Sequence, residues 1–260
     1  MTGLVLLAVT GLLLVVLGLV TARRPEHEIL DRKVYFDRWS VLHGGYDPRT
    51  GNPWLRGWLT MVFAIARPLA RRGVQPDVLT ISAIWLAAAV FVPADIGGRW
   101  AMLAGWLLVA SGLFDTLDGC VAVLADRTTR WGYVLDSAAD RVNDAIYLAA
   151  VVSVGAPAEL AVGCGFLFFF MEYVRARAGN AGGDEVGRIT LAERPHRVIF
   201  LSASIHFGGV FLDHRELVAT TGMALITAMT LIAVVQLLVA VRRQLLAMPV
   251  DQPATATPQG

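Results

Sequence analysis

Residues 114–140 read FDTLDGCVAVLADRTTRWGYVLDSAAD, and four aspartates in this stretch decide the fold. Asp115 and Asp118 are three residues apart, and Asp136 and Asp140 are four apart. On a helix either spacing puts both side chains on one face. The stretch joins two apolar runs, 99–124 and 133–154, each matching the length of about 20 residues that a spanning helix needs. A hairpin between them turns the two acidic faces toward each other at one side of the bilayer. Carboxylates inside spanning helices are costly and point to function. Four negative charges in so dry a volume require a cation. Arg141 can neutralise one of them, not four. An all-oxygen cage suits a hard divalent ion, Mg²⁺ or Mn²⁺, and two such ions form a clamp for displacement at phosphorus. Gly119 allows a substrate group to approach the backbone, and Gly132 leaves room beside the second helix. A cation transporter using the same acids is the competing class, disfavoured because the acids sit at one face instead of being spaced across the bilayer. A non-catalytic membrane scaffold is a third reading.

The composition agrees with a membrane setting. Of the 260 residues, 56% are apolar and only 17% charged, with a mean hydropathy of +0.59. Soluble domains carry about 25% charged residues, so an ordinary soluble globule and a disordered chain are both excluded. Long continuous apolar runs, in place of short alternating ones, exclude a β-barrel. The expected fold is all-α and polytopic. Candidate spans are 3–21, 77–94, 99–124, 133–154, 158–178, 195–212 and 217–241. The first is an extra N-terminal helix (domain 1–22), read as an uncleaved anchor because it has no positive n-region and no small-residue cleavage site. The other six form the core, 73–243. Residues 23–53 read as a cytoplasmic linker, with Gly44, Gly45, Pro48, Gly51 and Pro53. Residues 54–72 read as an interfacial amphipathic helix, with Trp54, Leu55, Trp58, Leu59, Val62 and Phe63 at helical spacing among Arg56, Arg67, Arg71 and Arg72. Residues 244–260 read as a disordered tail. With 23–76 placed inside, Arg99 and Arg215 alone fall outside, two of the 22 basic residues once Arg141 is set aside. That asymmetry puts the C-terminus and the acidic site on the cytoplasmic side of the plasma membrane. Cys120 and Cys164 lie in apolar runs with neither disulfide nor zinc spacing, and read as small buried residues.

The series Asp115-x2-Asp118-Gly119-x2-Ala122-x9-Gly132-x3-Asp136-x3-Asp140 resembles the signature of the CDP-alcohol phosphotransferases, integral membrane enzymes. The resemblance spans residues 67–243. It implies attack of an alcohol on the β-phosphoryl of a CDP-alcohol, most often CDP-diacylglycerol, with release of CMP. It assigns Asp115, Asp118, Asp136 and Asp140 to metal, Asp140 also as general base, and Gly119 and Thr129 (with Asp118) to the CDP donor. Gln75, Pro76, Asp77 and Thr80 resemble the polar opening of the family's first core helix, near the nucleotide. The family carries Arg where this chain has Val123. Arg127, four residues on and on the same face if the helix persists, or Arg130, is expected to supply that cation.

The segment YVRARA with Glu193-Arg194-x2-Arg197 resembles the phosphatidylinositol-phosphate synthases of the same family. There the basic residues hold the phosphate of inositol phosphate, which assigns Arg175, Arg194 and Arg197 to the acceptor phosphate. Glu172 and Glu193 are expected to pair with them, Asp184 and Glu185 to be solvated, and His196 and His206 to pack. The expected acceptor is a phosphorylated polyol, inositol phosphate first and glycerol 3-phosphate second. The resemblance implies a homodimer, and no nucleic-acid partner is expected.

Overall fold

The computed structural model describes residues 2–23, 28–42, 45–50, 53–183 and 191–248, and within them the chain is helical with no strand. Arg24, Gly44, Gly51, Asp184, Glu185 and the tail from 249 lie outside the described residues. The helices are α1 (Thr2–Val20), α2 (Arg32–Leu42), α3 (Pro53–Arg71), α4 (Pro76–Ala89), α5 (Phe91–Ile96), α6 (Trp100–Leu124), α7 (Arg130–Val154), α8 (Ala158–Asn180), α9 (Arg194–Val210) and α10 (Arg215–Leu246). The multi-pass helical membrane fold expected from the sequence is borne out. Each apolar run coincides with a helix, the second divided between α4 and α5. Among the described residues three segments are long and apolar enough to cross a membrane: Pro76–Ile96, Trp100–Leu124 and Leu212–Leu246. The remaining core helices are less apolar for a reason. Asp140, Arg141 and Asp144 interrupt α7, Glu172 and Arg175 interrupt α8, and α9 has 17 residues.

Helix α6 is the central element, packed on α3, α4 and α9. Small residues let α6 and α9 approach closely. A methyl group added at Gly105 would come within 2.9 Å of the Ser202 carbonyl oxygen, so the backbones meet where side chains are missing. One apolar core fills the space among α6–α10, with Leu108, Tyr147, Phe168, Met171, Leu201, Ile205 and Met223 buried in it. Helix α1 leans on α4, and Trp85 Nε1 donates to Thr10 Oγ1 at 2.6 Å.

A second apolar core lies on the other side of α6. Helix α3 buries Leu59, Val62, Phe63, Ala66 and Ala70, a 3–4 residue period that gives it one apolar face. Over 23–53 the structure corrects the sequence reading, because the expected linker contains α2. Asp31 Oδ1 caps α2 by accepting the Val34 N–H at 2.8 Å, and Tyr35 and Phe36 are buried in the second core. The segment is polar on average, and the three aromatic residues of α2, Tyr35, Phe36 and Trp39, pack into the second core.

Candidate active site

The acidic cluster forms where α6 and α7 face each other. Asp115, Asp136 and Asp140 each offer a carboxylate oxygen, and these oxygens lie within 4.8 Å of one another. Asp118 stands at the edge of the cluster, turned toward α4. It is 4% exposed, and Oδ2 accepts Thr80 Oγ1 from α4 at 2.5 Å while Oδ1 accepts the Gly119 N–H at 2.5 Å. The expected four-membered cluster is thus three converging carboxylates with a fourth turned toward α4. A deeper layer closes the floor, where Ser111 Oγ and Tyr147 Oη are 2.6 Å apart and Ser111 donates to the Ala83 carbonyl.

Arg194, the first residue of α9, reaches this cluster. Its Nη2 donates to Asp115 Oδ1 at 2.6 Å, and its Nη1 pairs with Asp140 Oδ1. Behind it stands an ionic network. Arg175 donates to Glu172 at 3.2 Å and to Glu193 at 2.6 Å, which matches the expected pairing. Arg141 lies 3.2 Å from Asp144 and 3.7 Å from Asp140. Arg197 departs from the sequence assignment. It is 1% exposed, lies over the Phe168 ring at 4.5 Å, and donates to Asp144, Glu172 and the Ala192 carbonyl. A buried guanidinium whose donors are committed to these acceptors anchors the network instead of presenting itself to an acceptor.

The donor-side residues divide the same way. Gly119 faces open space, with nothing within 4 Å of where a side chain would begin. Pro76 opens α4 at its first turn, Asp77 follows in that turn, and Gln75 Nε2 donates to the Thr21 carbonyl at 3.1 Å. Thr80 orients Asp118. Thr129 caps α7 by accepting the Gly132 N–H at 2.9 Å. The expected role of Arg127 is not supported by its position, because α6 stops at Leu124. Asp126 is left-handed (φ 54°), and the Arg127 N–H returns to the Ala122 carbonyl at 2.8 Å, a Schellman closure. The Arg127 guanidinium then donates to the carbonyls of Arg23 and Gly73, while Val123 packs against the second core. Arg130 is exposed at the start of α7.

Two residues were missed in the sequence. Asp144 continues the four-residue stripe of Asp136 and Asp140 one turn deeper, a spacing that was there to be read. Asn143 is 0% exposed, and neither atom of its amide has a hydrogen-bond partner. It lies one helical turn from Asp140. Oxygen-only donors at this separation, beside unpaired buried polar atoms, fit a hard divalent ion.

Residues 74–205 match the family model described as CDP-alcohol phosphatidyltransferase, and the chain belongs to that family. It is a membrane phosphotransferase. A phosphatidylinositol phosphate synthase of Cutibacterium acnes is 31% identical over 203 residues, covering 72% of this chain and 95% of that protein. One from Mycobacteroides abscessus is 34% identical over 190 residues, covering 68% and 82%. An archaetidylinositol phosphate synthase of Methanothermobacter thermautotrophicus is 32% identical, covering 53% and 73%. The fold is similar to the crystal structure of Mycobacterium tuberculosis phosphatidylinositol phosphate synthase with CDP-DAG bound, at a TM-score of 0.57 and 25% identity, covering 75% of this chain and 99% of that one. A second structure of that synthase, in complex with manganese and citrate, has the same fold at a TM-score of 0.58 and 24% identity, covering 74% and 93%.

Proposed function

We propose that the chain transfers the phosphatidyl group of CDP-diacylglycerol to inositol phosphate and releases CMP. The observation that carries this reading is Arg194, which joins the three-carboxylate cluster to the basic segment matching the acceptor pattern. The relatives named phosphatidylinositol phosphate synthase support the choice of acceptor. The acceptor hydroxyl oxygen bonds to the β-phosphorus, the bond from that phosphorus to the CMP oxygen breaks, and Asp140 takes the hydroxyl proton. Asp115, Asp136 and Asp140, with Asp118 at the edge, hold Mg²⁺ or Mn²⁺, two ions in all, which offset the charge of the phosphoryl oxygens. Gly119 and the opening of α4 (Gln75, Pro76, Asp77, Thr80) border the CDP moiety, with Thr129 and Arg130 across from them. Arg175 and Arg194 hold the acceptor phosphate, and Arg197 braces Arg175 through the Glu172 they share.

The chain resides in the plasma membrane, and the positive-charge asymmetry supports this site facing the cytoplasm. Residues 1–22 are the anchor and 73–243 the catalytic unit, working as a homodimer. The test is an acceptor screen with radiolabelled CDP-diacylglycerol. Inositol phosphate, glycerol 3-phosphate, serine and free inositol are compared for CMP release and lipid product. Inositol phosphate is expected to give the highest kcat/KM, and free inositol, lacking the phosphate, at least about a hundredfold less. Preference for glycerol 3-phosphate would reassign the acceptor, and ion flux in vesicles without nucleotide would favour a transporter.

A further inference from the structure

The arginines between α2 and α3 behave differently from those of the active site. Around α6–α9 the guanidiniums of Arg141, Arg175, Arg194 and Arg197 are all paired with carboxylates. Arg32 at the start of α2 and Arg67 and Arg71 on α3 border one notch of about 450 Å³ between these two helices. Among the described residues none of the three has a salt bridge, and the Arg67 Nε is buried without a hydrogen-bond partner. The nearest acid in sequence, Asp31, has its Oδ1 engaged in capping α2. Thr60 and Phe63 complete the wall, with the Arg67 guanidinium 6.0 Å from the Phe63 ring centroid. Three positive charges around one notch, with no ion pair among the described residues and one of them partly desolvated, call for an anion.

The same helix indicates where the anion comes from. Trp54 and Trp58 stack on α3 at 6.1 Å, and Trp54, Met61 and Ile65 are exposed. Exposed tryptophans and apolar side chains on an amphipathic helix belong at headgroup depth. We infer that the notch between α2 and α3 binds the phosphate of one anionic phospholipid, at a site separate from the acceptor arginines. Helix α3 packs on α6, whereas Arg175 and Arg194 stand on α8 and α9. The bound headgroup pins α3 to the bilayer and so steadies the turn that leads into α4.

The test uses the full chain in nanodiscs of phosphatidylcholine, with or without roughly 20 mol% phosphatidylglycerol as the anionic component. Native mass spectrometry counts the phosphatidylglycerol molecules retained. The double variant Arg67→Gln, Arg71→Gln is expected to lose one tightly held lipid, with affinity falling about thirtyfold, since each arginine near an anionic surface contributes roughly fivefold. Arg242→Gln with Arg243→Gln, at the far end of α10, should retain it. CMP release above half the wild-type rate shows that the α3 double variant is folded. If that variant does not fold, Arg32→Gln alone takes its place, with about a fivefold fall expected. Equal retention by wild type and notch variants would overturn the inference. Displacement of the lipid by millimolar inorganic phosphate would overturn its assignment to a lipid headgroup.

Discussion

Asp140→Asn is expected to reduce CMP release by at least about a thousandfold while leaving the protein folded. The amide keeps the size of the carboxylate but cannot accept the proton of the acceptor hydroxyl, and general-base catalysis alone contributes about 10²–10⁴-fold. It also removes one negative charge from the cluster with Asp115 and Asp136, weakening the hold on a divalent ion. The two effects add in the same direction, so the loss should exceed that of Asp118→Asn, whose partners are Thr80 and the Gly119 N–H. Rates are measured with saturating donor and a range of Mg²⁺ and Mn²⁺ concentrations. Activity within about tenfold of wild type would remove Asp140 from the chemistry.

Arg197→Ala is expected to be the most damaging single change to stability. Its guanidinium is buried and shared between Asp144 and Glu172. Removing one partner of a buried ion pair costs about 3–5 kcal/mol, because the other charge is left without compensation. Among the described residues Asp144 then keeps Arg141, at 3.2 Å. Replacing both partners, Arg197→Met with Asp144→Leu, should recover much of the thermal midpoint without recovering full activity. A single variant that melts like the wild type in detergent would contradict the burial of this pair.

The sequence showed most of the helices and part of the site, for a common reason. Periodicity within one segment is readable, and the acidic stripe of α7 is such a pattern. Contacts between segments are not. Thr80 and Asp118 are 38 residues apart, and Arg197 and Asp144 are 53 apart, so no local spacing announces either bond. Spacing alone therefore shows neither the bond that turns Asp118 toward α4 nor the burial that takes Arg197 out of reach of an acceptor phosphate. Helix α2 is hard to read because its anchors, Tyr35, Phe36 and Trp39, cover barely one turn of a stretch that is polar on average. The end of α6 turns on the backbone of Asp126, which is left-handed, a conformation aspartate tolerates better than most residues but that no apolar period marks. That one turn takes Arg127 away from the face of Val123 and into the α3–α4 turn.

Sharing of a divalent cation by Asp115, Asp136 and Asp140 is read out by electron paramagnetic resonance of Mn²⁺ titrated into the purified chain, with no substrate present. The wild type should bind Mn²⁺ tightly, and Asp136→Asn should weaken binding by at least about tenfold while leaving the thermal midpoint of the metal-free protein in place. Mn²⁺ binding of equal strength in both proteins, or none in either, would contradict it.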